Sequence, residues 1–292
     1  MTSISLGYIG LSVTDVDAWR RYLSAFTGAM EGARAASGAA RFRLDDHAWR
    51  ISVEQGDLDD LGYMGLEVQD APALDMLRNR LAAAGVAFTE GTEAQRGERG
   101  VMGLILTQDP SGIPLEIYYG PTILSNEPFA SPTGTRFVTG EQGLGHLALA
   151  SDKGPECHAF YVGALGFRQA DMIRMRMTDD FALDLEFFYG NPRHHTLALA
   201  PLPFPPPKRI HHLMFQVEEF DQVGYALDRT RQCDVQLTRT IGRHSNDKMI
   251  SFYCSTPSGF ELEYGFGAIE IHGSDWTVAR HDRISAWGHH LV

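Results

Sequence analysis

Three residues in the second half of the chain have the types and the register needed to hold a divalent metal. His146 stands in "LGHLALAS" from Leu144, His212 in "IHHLMFQV" from Ile210, and Glu263 in "FELEYGFG" from Phe260. The two histidine runs alternate apolar with less apolar residues, the period of a β-strand, whose successive side chains point to opposite faces. Leu147 and Leu149 form the apolar face of the first run; Leu213, Phe215 and Val217 form that of the second. His146 and His212 therefore occupy the other face, and His211 falls on the packed face or serves in a supporting hydrogen bond. Alternation alone does not separate Glu261 from Glu263, which share a face. Two neutral imidazole nitrogens and one carboxylate make the facial triad that suits non-haem Fe(II) and also binds Mn(II). Such a triad leaves adjacent positions open, where two reactants can meet on one ion.

The elements that must carry these residues recur through the chain. "LGYIGLSV" from Leu6 and "LGYMGLEV" from Leu61 match the two histidine strands, with Tyr8 and Tyr63 where the histidines stand. A helical segment follows each of the four: "VTDVDAWRRYLSAF", "PALDMLRNRLAAAG", "PECHAFYVGALG" and "FDQVGYALDRT". The first places Trp19, Tyr22, Leu23 and Phe26 at helical spacing behind Asp15 and Asp17. Strand-like runs then close each unit. "DPSGIPLEIYYG" from Asp109 parallels "TPSGFELEYGFG" from Thr256, with Pro-Ser-Gly supplying a tight turn in each. That match pairs Glu116 with Glu263 and favours Glu263 over Glu261 as the carboxylate. The pattern predicts an α+β fold of two domains, each built from two βαβββ modules, over residues 1–135 and 136–292. The break falls near "SPTGTRFVTGEQ". Only the second half offers nitrogen donors, so one metal site is expected there, beside a degenerate N-terminal domain without metal.

Composition agrees with a well-packed chain of this size. Of 292 residues 43% are hydrophobic and only 21% charged, which excludes a disordered segment. A formal charge of -12 argues against a nucleic-acid or anionic-membrane partner. Cys157, Cys233 and Cys254 lack CxxC spacing, and their odd number fits a reducing compartment. The N-terminus lacks a basic region followed by an apolar run, so a cytoplasmic location is expected.

On these motifs the chain resembles the type I extradiol ring-cleavage dioxygenases of the vicinal oxygen chelate superfamily, in particular the 2,3-dihydroxybiphenyl 1,2-dioxygenase group. The family signature is a His followed at a distance by Tyr-x-x-Thr-Pro-x-Gly and a Glu. It reads here as "IHH" at 210–212 and "FYCSTPSGFELE" at 252–263. The resemblance implies a glyoxalase-like fold in which each domain forms an incomplete barrel. It implies His146, His212 and Glu263 as iron ligands, with Fe(II) the cofactor and Mn(II) the alternative. It puts the active-site acid–base in "NPRHHTLAL" at His195, with His194 the second choice. It assigns His244, Asn246, Asp247 and Tyr253 of "GRHSNDKMISFY" to the surroundings of the substrate, and Ala148 and Phe187 to the pocket wall. The implied reaction is extradiol cleavage of a bicyclic catechol such as 2,3-dihydroxybiphenyl by dioxygen, within aromatic catabolism. 1,2-Dihydroxynaphthalene and monocyclic catechols are alternative substrates, and a homo-oligomer, such as an octamer, is the implied assembly. Two departures bear on ring preference: Ala148 stands where the family often has a larger side chain, and Ile284 or a neighbour stands where Pro is common. A glyoxalase-like isomerase would spread carboxylate ligands over both halves, against which Tyr8 and Tyr63 argue. A ligand-sequestering protein on this scaffold is usually shorter and needs no triad.

Overall fold

Residues 3–273 and 275–292, described by a computed structural model, form four strand–helix–strand repeats. The first comprises β1 (Ile4–Val13), α1 (Val16–Arg21), β2 (Met30–Glu31), β3 (Ala40–Arg43) and β4 (Ile51–Gln55). The second runs through β5 (Asp60–Val68), α2 (Ala71–Ala83), β6 (Thr89–Glu90), an added α3 (Glu93–Arg99), β7 (Val101–Gln108) and β8 (Pro114–Pro121). The third is β9 (His146–Ser151), α4 (Gly154–His158), β10 (Arg168–Arg176), β11 (Ala182–Tyr189) and β12 (Leu197–Pro201). The fourth is β13 (Ile210–Val217), α5 (Phe220–Gln232), β14 (Leu237–His244), β15 (Ile250–Ser255) and β16 (Glu261–Phe266); β17 (Ala279–His281) and β18 (Ser285–Trp287) follow.

Local chemistry sets the helix boundaries. Asp15 caps α1 by accepting from the Ala18 N–H at 2.8 Å, and Trp19, Tyr22, Leu23 and Phe26 beyond it are all buried. The turn from Tyr22 to Thr27 widens into a π-helix that Gly28 ends at φ 88°, a conformation that favours glycine. Asp70 caps α2 in the same way, and Leu74, Leu77 and Leu81 bury one face of it.

The first two repeats make an eight-stranded sheet in the order β2-β3-β4-β1-β5-β8-β7-β6. The last two, with β17 and β18, make a ten-stranded sheet in the order β17-β10-β11-β12-β9-β13-β16-β15-β14-β18. In both, the opening strands of two repeats pair antiparallel at the centre, and each pairs parallel on its other side with its own repeat's last strand. Among the described residues the edge strands of each sheet do not pair with one another, so each sheet is an incomplete barrel. Among the described residues no helix is long and apolar enough to cross a membrane.

Two helices pack on their own sheet and also reach across to the other half. α2 lies against residues 159–165, where Arg80 donates to the Ala164 and Gly163 carbonyls at 3.1 and 2.8 Å. α5 lies against residues 22–27, and Arg229 donates to the Phe26 carbonyl at 2.8 Å. One buried apolar cluster consequently runs from Ile4 to Tyr264 through both sheets.

Candidate active site

β9, β13 and β16 lie side by side at the centre of the larger sheet, and their register assembles three donors. His146 pairs with Met214, which pairs in turn with Glu263. Paired residues face the same side, and His212, two residues before Met214, joins them. Gly145 makes the approach of β9 to β13 feasible: at φ 153°, a Cβ there would lie 1.9 Å from the Met214 carbonyl oxygen. Of the two places expected for His211, the structure gives the supporting hydrogen bond and not the packed face. A bulge between Ile210 and His212 takes up the extra residue, and His211 is exposed at the cavity wall rather than packed, its Nδ1 2.9 Å from His212 Nδ1.

The Nε2 atoms of His146 and His212 are 3.1 Å apart, and Glu263 Oε2 is 3.4 Å from each. Metal bonds of about 2.0–2.2 Å to nitrogen and oxygen, meeting near right angles, span about 3 Å between donors, so the three atoms fit one ion. Their charges fit as well. Burial pushes His146 and His212 below the ordinary imidazole range, leaving neutral nitrogens with lone pairs free. Burial alone would raise Glu263, but the His244 charge, the adjacent His146 ring and the His244 hydrogen bond outweigh it and hold the carboxyl well below its usual range.

Glu263 divides its two oxygens. Oε2 faces the histidine pair, while Oε1 lies 2.8 Å from His244 Nε2 and accepts from Ser251 Oγ at 2.6 Å. Burial opposes protonation of His244, yet the charge and hydrogen bond of Glu263, with Asp247 and the Ile284 carbonyl, lift it to about 9. The Tyr253 hydroxyl is 2.9 Å from the same His244 nitrogen, and burial followed by the Glu263 charge keeps that phenol protonated.

His195 lines the cavity over the donors, its ring centre 4.0 Å from that of His146 and 5.0 Å from Phe187. Burial, then the neighbouring His146 and His194, push it well below the usual imidazole range. His194 is 1% exposed and turns away to Asp171, its Nε2 2.8 Å from Oδ2. Asn246 and Asp247 line the cavity behind His195; Asp247 Oδ1 accepts from the Met249 N–H at 3.0 Å, and Asn246 Nδ2 is buried without a hydrogen-bond partner.

The cavity is about 520 Å³. A register row through Phe187, Ala198, Ala148 and His212 forms one wall, so the two alanines leave open space between an aromatic ring and a donor. Ile173, Met175, Leu183 and Leu185 continue the apolar lining away from the donors. The structure thus brings His146, Ala148, Phe187, His195, His212, His244, Asn246, Asp247, Tyr253 and Glu263 to one cavity. Sequence reasoning missed Ser251 and His289. His289, in the terminal "WGHH", is 9% exposed, with Nε2 3.2 Å from Ser251 Oγ and Nδ1 2.7 Å from Ser285 Oγ. Burial and the facing His244 push it down to about 4.

The corresponding place in the first sheet is filled differently. Tyr8 donates to Glu116 Oε2 at 2.5 Å, and Arg99 grips both oxygens of that carboxylate at 2.8 Å. The guanidinium lies 4.3 Å from the Tyr63 ring centre, and Tyr8 stacks between Trp49 and Tyr118 at 4.3 and 4.5 Å. A side-chain cation and four rings there neutralise the acid and fill the space.

The paired βαβββ repeats and convergent donors define a member of the Glyoxalase/Bleomycin resistance protein/Dioxygenase superfamily, whose model matches residues 143–264. The model described as dihydroxybiphenyl dioxygenase BphC D1 matches residues 6–56. A biphenyl-2,3-diol 1,2-dioxygenase from Metapseudomonas furukawaii is 48% identical over 295 residues, covering 100% of this chain and 95% of the relative. An iron-dependent extradiol dioxygenase from Rhodococcus jostii is 41% identical, covering 99% of this chain and 97% of the relative. The crystal structure of a catechol 2,3-dioxygenase superposes with a TM-score of 0.91 at 35% identity, covering 100% of this chain and 96% of that one. The chain belongs to the extradiol catechol dioxygenases, in the biphenyl-2,3-diol 1,2-dioxygenase group. As such it is a metal-dependent enzyme that opens a catechol ring with dioxygen.

Proposed function

We propose that the chain cleaves biphenyl-2,3-diol at the bond adjacent to its hydroxyl-bearing carbons, with Fe(II) held by His146, His212 and Glu263. The observation that carries the substrate is the apolar sleeve of Ile173, Met175, Leu183, Leu185 and Phe187 beyond the donors, suited to a second ring. When bound, iron supplies Lewis acidity toward the two diol oxygens and an electron path between ring and dioxygen. Mn(II) is the alternative ion, and 1,2-dihydroxynaphthalene or a smaller catechol the alternative substrate.

The remaining roles follow from the side chains. His195, kept neutral by burial, takes a proton from the diol and returns it when the oxygen–oxygen bond breaks. Tyr253, kept protonated, donates to a diol oxygen. His244 and Ser251 hold Glu263 Oε1, so that Oε2 is left to the ion. Asn246 offers its unsatisfied N–H toward the cavity, Asp247 braces the loop, and Ala148 with Phe187 bounds the second ring. Residues 136–292 carry this chemistry as the catalytic domain; residues 1–135 form a domain whose corresponding site Arg99 has closed. The working state is a cytoplasmic homo-oligomer serving aromatic catabolism.

A panel of biphenyl-2,3-diol, 1,2-dihydroxynaphthalene, 3-methylcatechol and catechol, given to the iron-loaded protein in air, tests the reading. The expected outcome is a yellow ring-fission product and the highest kcat/KM for biphenyl-2,3-diol. Equal or better turnover of unsubstituted catechol would remove the argument from the sleeve.

A further inference from the structure

Residues 288–292 reach back toward the carboxylate ligand from outside the four repeats. They are fastened along β14, where the Thr240 N–H donates to the His290 carbonyl at 2.9 Å and the Val292 N–H to the Thr238 carbonyl at 3.1 Å. Seating them takes unusual backbone. Gly288 stands at φ 73°, and a Cβ there would lie 2.3 Å from the Ile241 carbonyl oxygen. A Cβ on Gly242 would lie 2.4 Å from the His289 backbone nitrogen and 2.6 Å from its Cγ. His289 itself is at φ 53°, a left-handed conformation that residues bearing side chains rarely adopt. Such an outlier persists only where its surroundings enforce it, and here it aims an imidazole at Ser251. His289 Nε2 lies 3.1 Å from the Ser251 carbonyl oxygen and 3.2 Å from Ser251 Oγ, while Nδ1 lies 2.7 Å from Ser285 Oγ. Ser251 Oγ in turn donates to Glu263 Oε1 at 2.6 Å. The His289 ring centre is also 4.4 Å from that of His244, the other group on the same carboxylate oxygen.

We propose that His289 is a positioning residue for the metal-binding carboxylate: its Nε2–H holds Ser251 in place, and Ser251 keeps Glu263 Oε1 occupied so that Oε2 serves the ion. The direction of each hydrogen bond follows from donor chemistry. A carbonyl only accepts, and the Ser251 hydroxyl proton is already given to Glu263, so His289 Nε2 carries a proton shared between the two Ser251 oxygens. Burial, followed by the facing His244, keeps the His289 ring neutral. Nδ1 is then bare and accepts from the Ser285 hydroxyl. Each link in the order Ser285–His289–Ser251–Glu263 thus has a donor on one side and an acceptor on the other. His289 acts on the ion only through Ser251, as groups that orient a metal ligand do. This inference rests on the iron triad proposed above.

Release of Fe(II) from the full-length protein to a coloured chelator, followed without oxygen, tests the role without turnover. His289→Phe keeps a ring and removes the N–H, Ser251→Ala removes the link, and His289→Gln brings an amide N–H to a similar reach. His289→Phe and Ser251→Ala should each release iron about 10-fold faster than the parent. Because they act as one chain, the double variant should release it no faster than either single one. His289→Gln should return release to within about threefold of parental, a rescue that packing alone does not give. Nitrogen-15 NMR of the histidine-labelled, iron-free protein should show His289 as the Nε2–H tautomer. An Nδ1–H tautomer would overturn the inference. So would release within about twofold of parental in Ser251→Ala, or His289→Gln releasing iron as fast as His289→Phe. Should His289→Phe fail to fold, Ser251→Ala and the tautomer decide. A parent that holds no iron would remove the proposed function instead, and the NMR arm would still decide which nitrogen of His289 donates.

Discussion

At the scale of single residues, the site depends on separating neutral donors from one charged acceptor. Desolvation keeps His146 and His212 neutral, while His244 and Ser251 hold Glu263 ionised and aimed. Truncating His212 to Ala removes one of three donors, and the purified variant should retain less than about a tenth of the parental iron by metal analysis. His195→Ala leaves the triad intact; iron content should match the parent while kcat falls about 10²–10⁴-fold, the usual worth of a positioned acid–base. His146, His212 and Glu263 were legible because strand parity and an internal repeat select them without any knowledge of tertiary contacts. Ser251 and His289 were not. Ser251 is one more serine in a strand until β15 and β16 pair, and His289 reaches the site only because Gly242 lets the C-terminal segment close over β14.

At the scale of elements, the four repeats could be read from alternating apolar faces, capping aspartates and a recurrent Pro-Ser-Gly turn. What escaped were departures from regular geometry. The bulge at His211 defeats parity, the π-helical turns keep helical spacing, and β17 and β18 are too short to carry a period. Two predictions belong here. Arg99→Met would leave the Glu116 carboxylate, 6% exposed, without its guanidinium. Breaking such a pair costs about 3–5 kcal/mol when fully buried, and the lower end applies because Arg99 keeps some exposure. Denaturant unfolding should register that loss while iron content is unchanged. The second concerns Asp45, His47, Arg50 and Glu67, a charged network in the first sheet. Burial opposes charging, yet the hydrogen bonds to His47 and the Arg50 charge lower Asp45 and Glu67, and those carboxylates in turn raise His47. The carboxylates stabilise the fold above their unfolded pKa near 4 and lose that contribution as pH falls through the depressed values. His47 contributes below its unfolded pKa near 6.5 and loses it as pH rises through the elevated one. The thermal midpoint should therefore decline on the alkaline side, and His47→Gln should flatten that decline. An unchanged alkaline slope in the variant would exclude His47 as its source.

At the scale of the whole molecule, two sheets share one core. Trp19 donates to Ser258 Oγ at 2.8 Å and packs 5.6 Å from Phe260, while Tyr264 donates to the Thr27 carbonyl at 3.1 Å. The sequence divides into two equivalent halves, but nothing in its periodicity says that α1 supports the turn before β16. Residues 136–292 expressed alone would expose that seam, and they should fail to hold iron or to give a sharp thermal transition. The intact chain should unfold in one step by both near- and far-ultraviolet circular dichroism. The account as a whole turns on whether three side chains from neighbouring strands put a ring and dioxygen on one ion. Oxygen uptake in a sealed cell, by protein reconstituted anaerobically with iron and then given biphenyl-2,3-diol, measures that directly. One dioxygen should disappear per diol opened, and none with the His212→Ala variant. Iron-loaded parental protein that leaves both diol and oxygen untouched would contradict it.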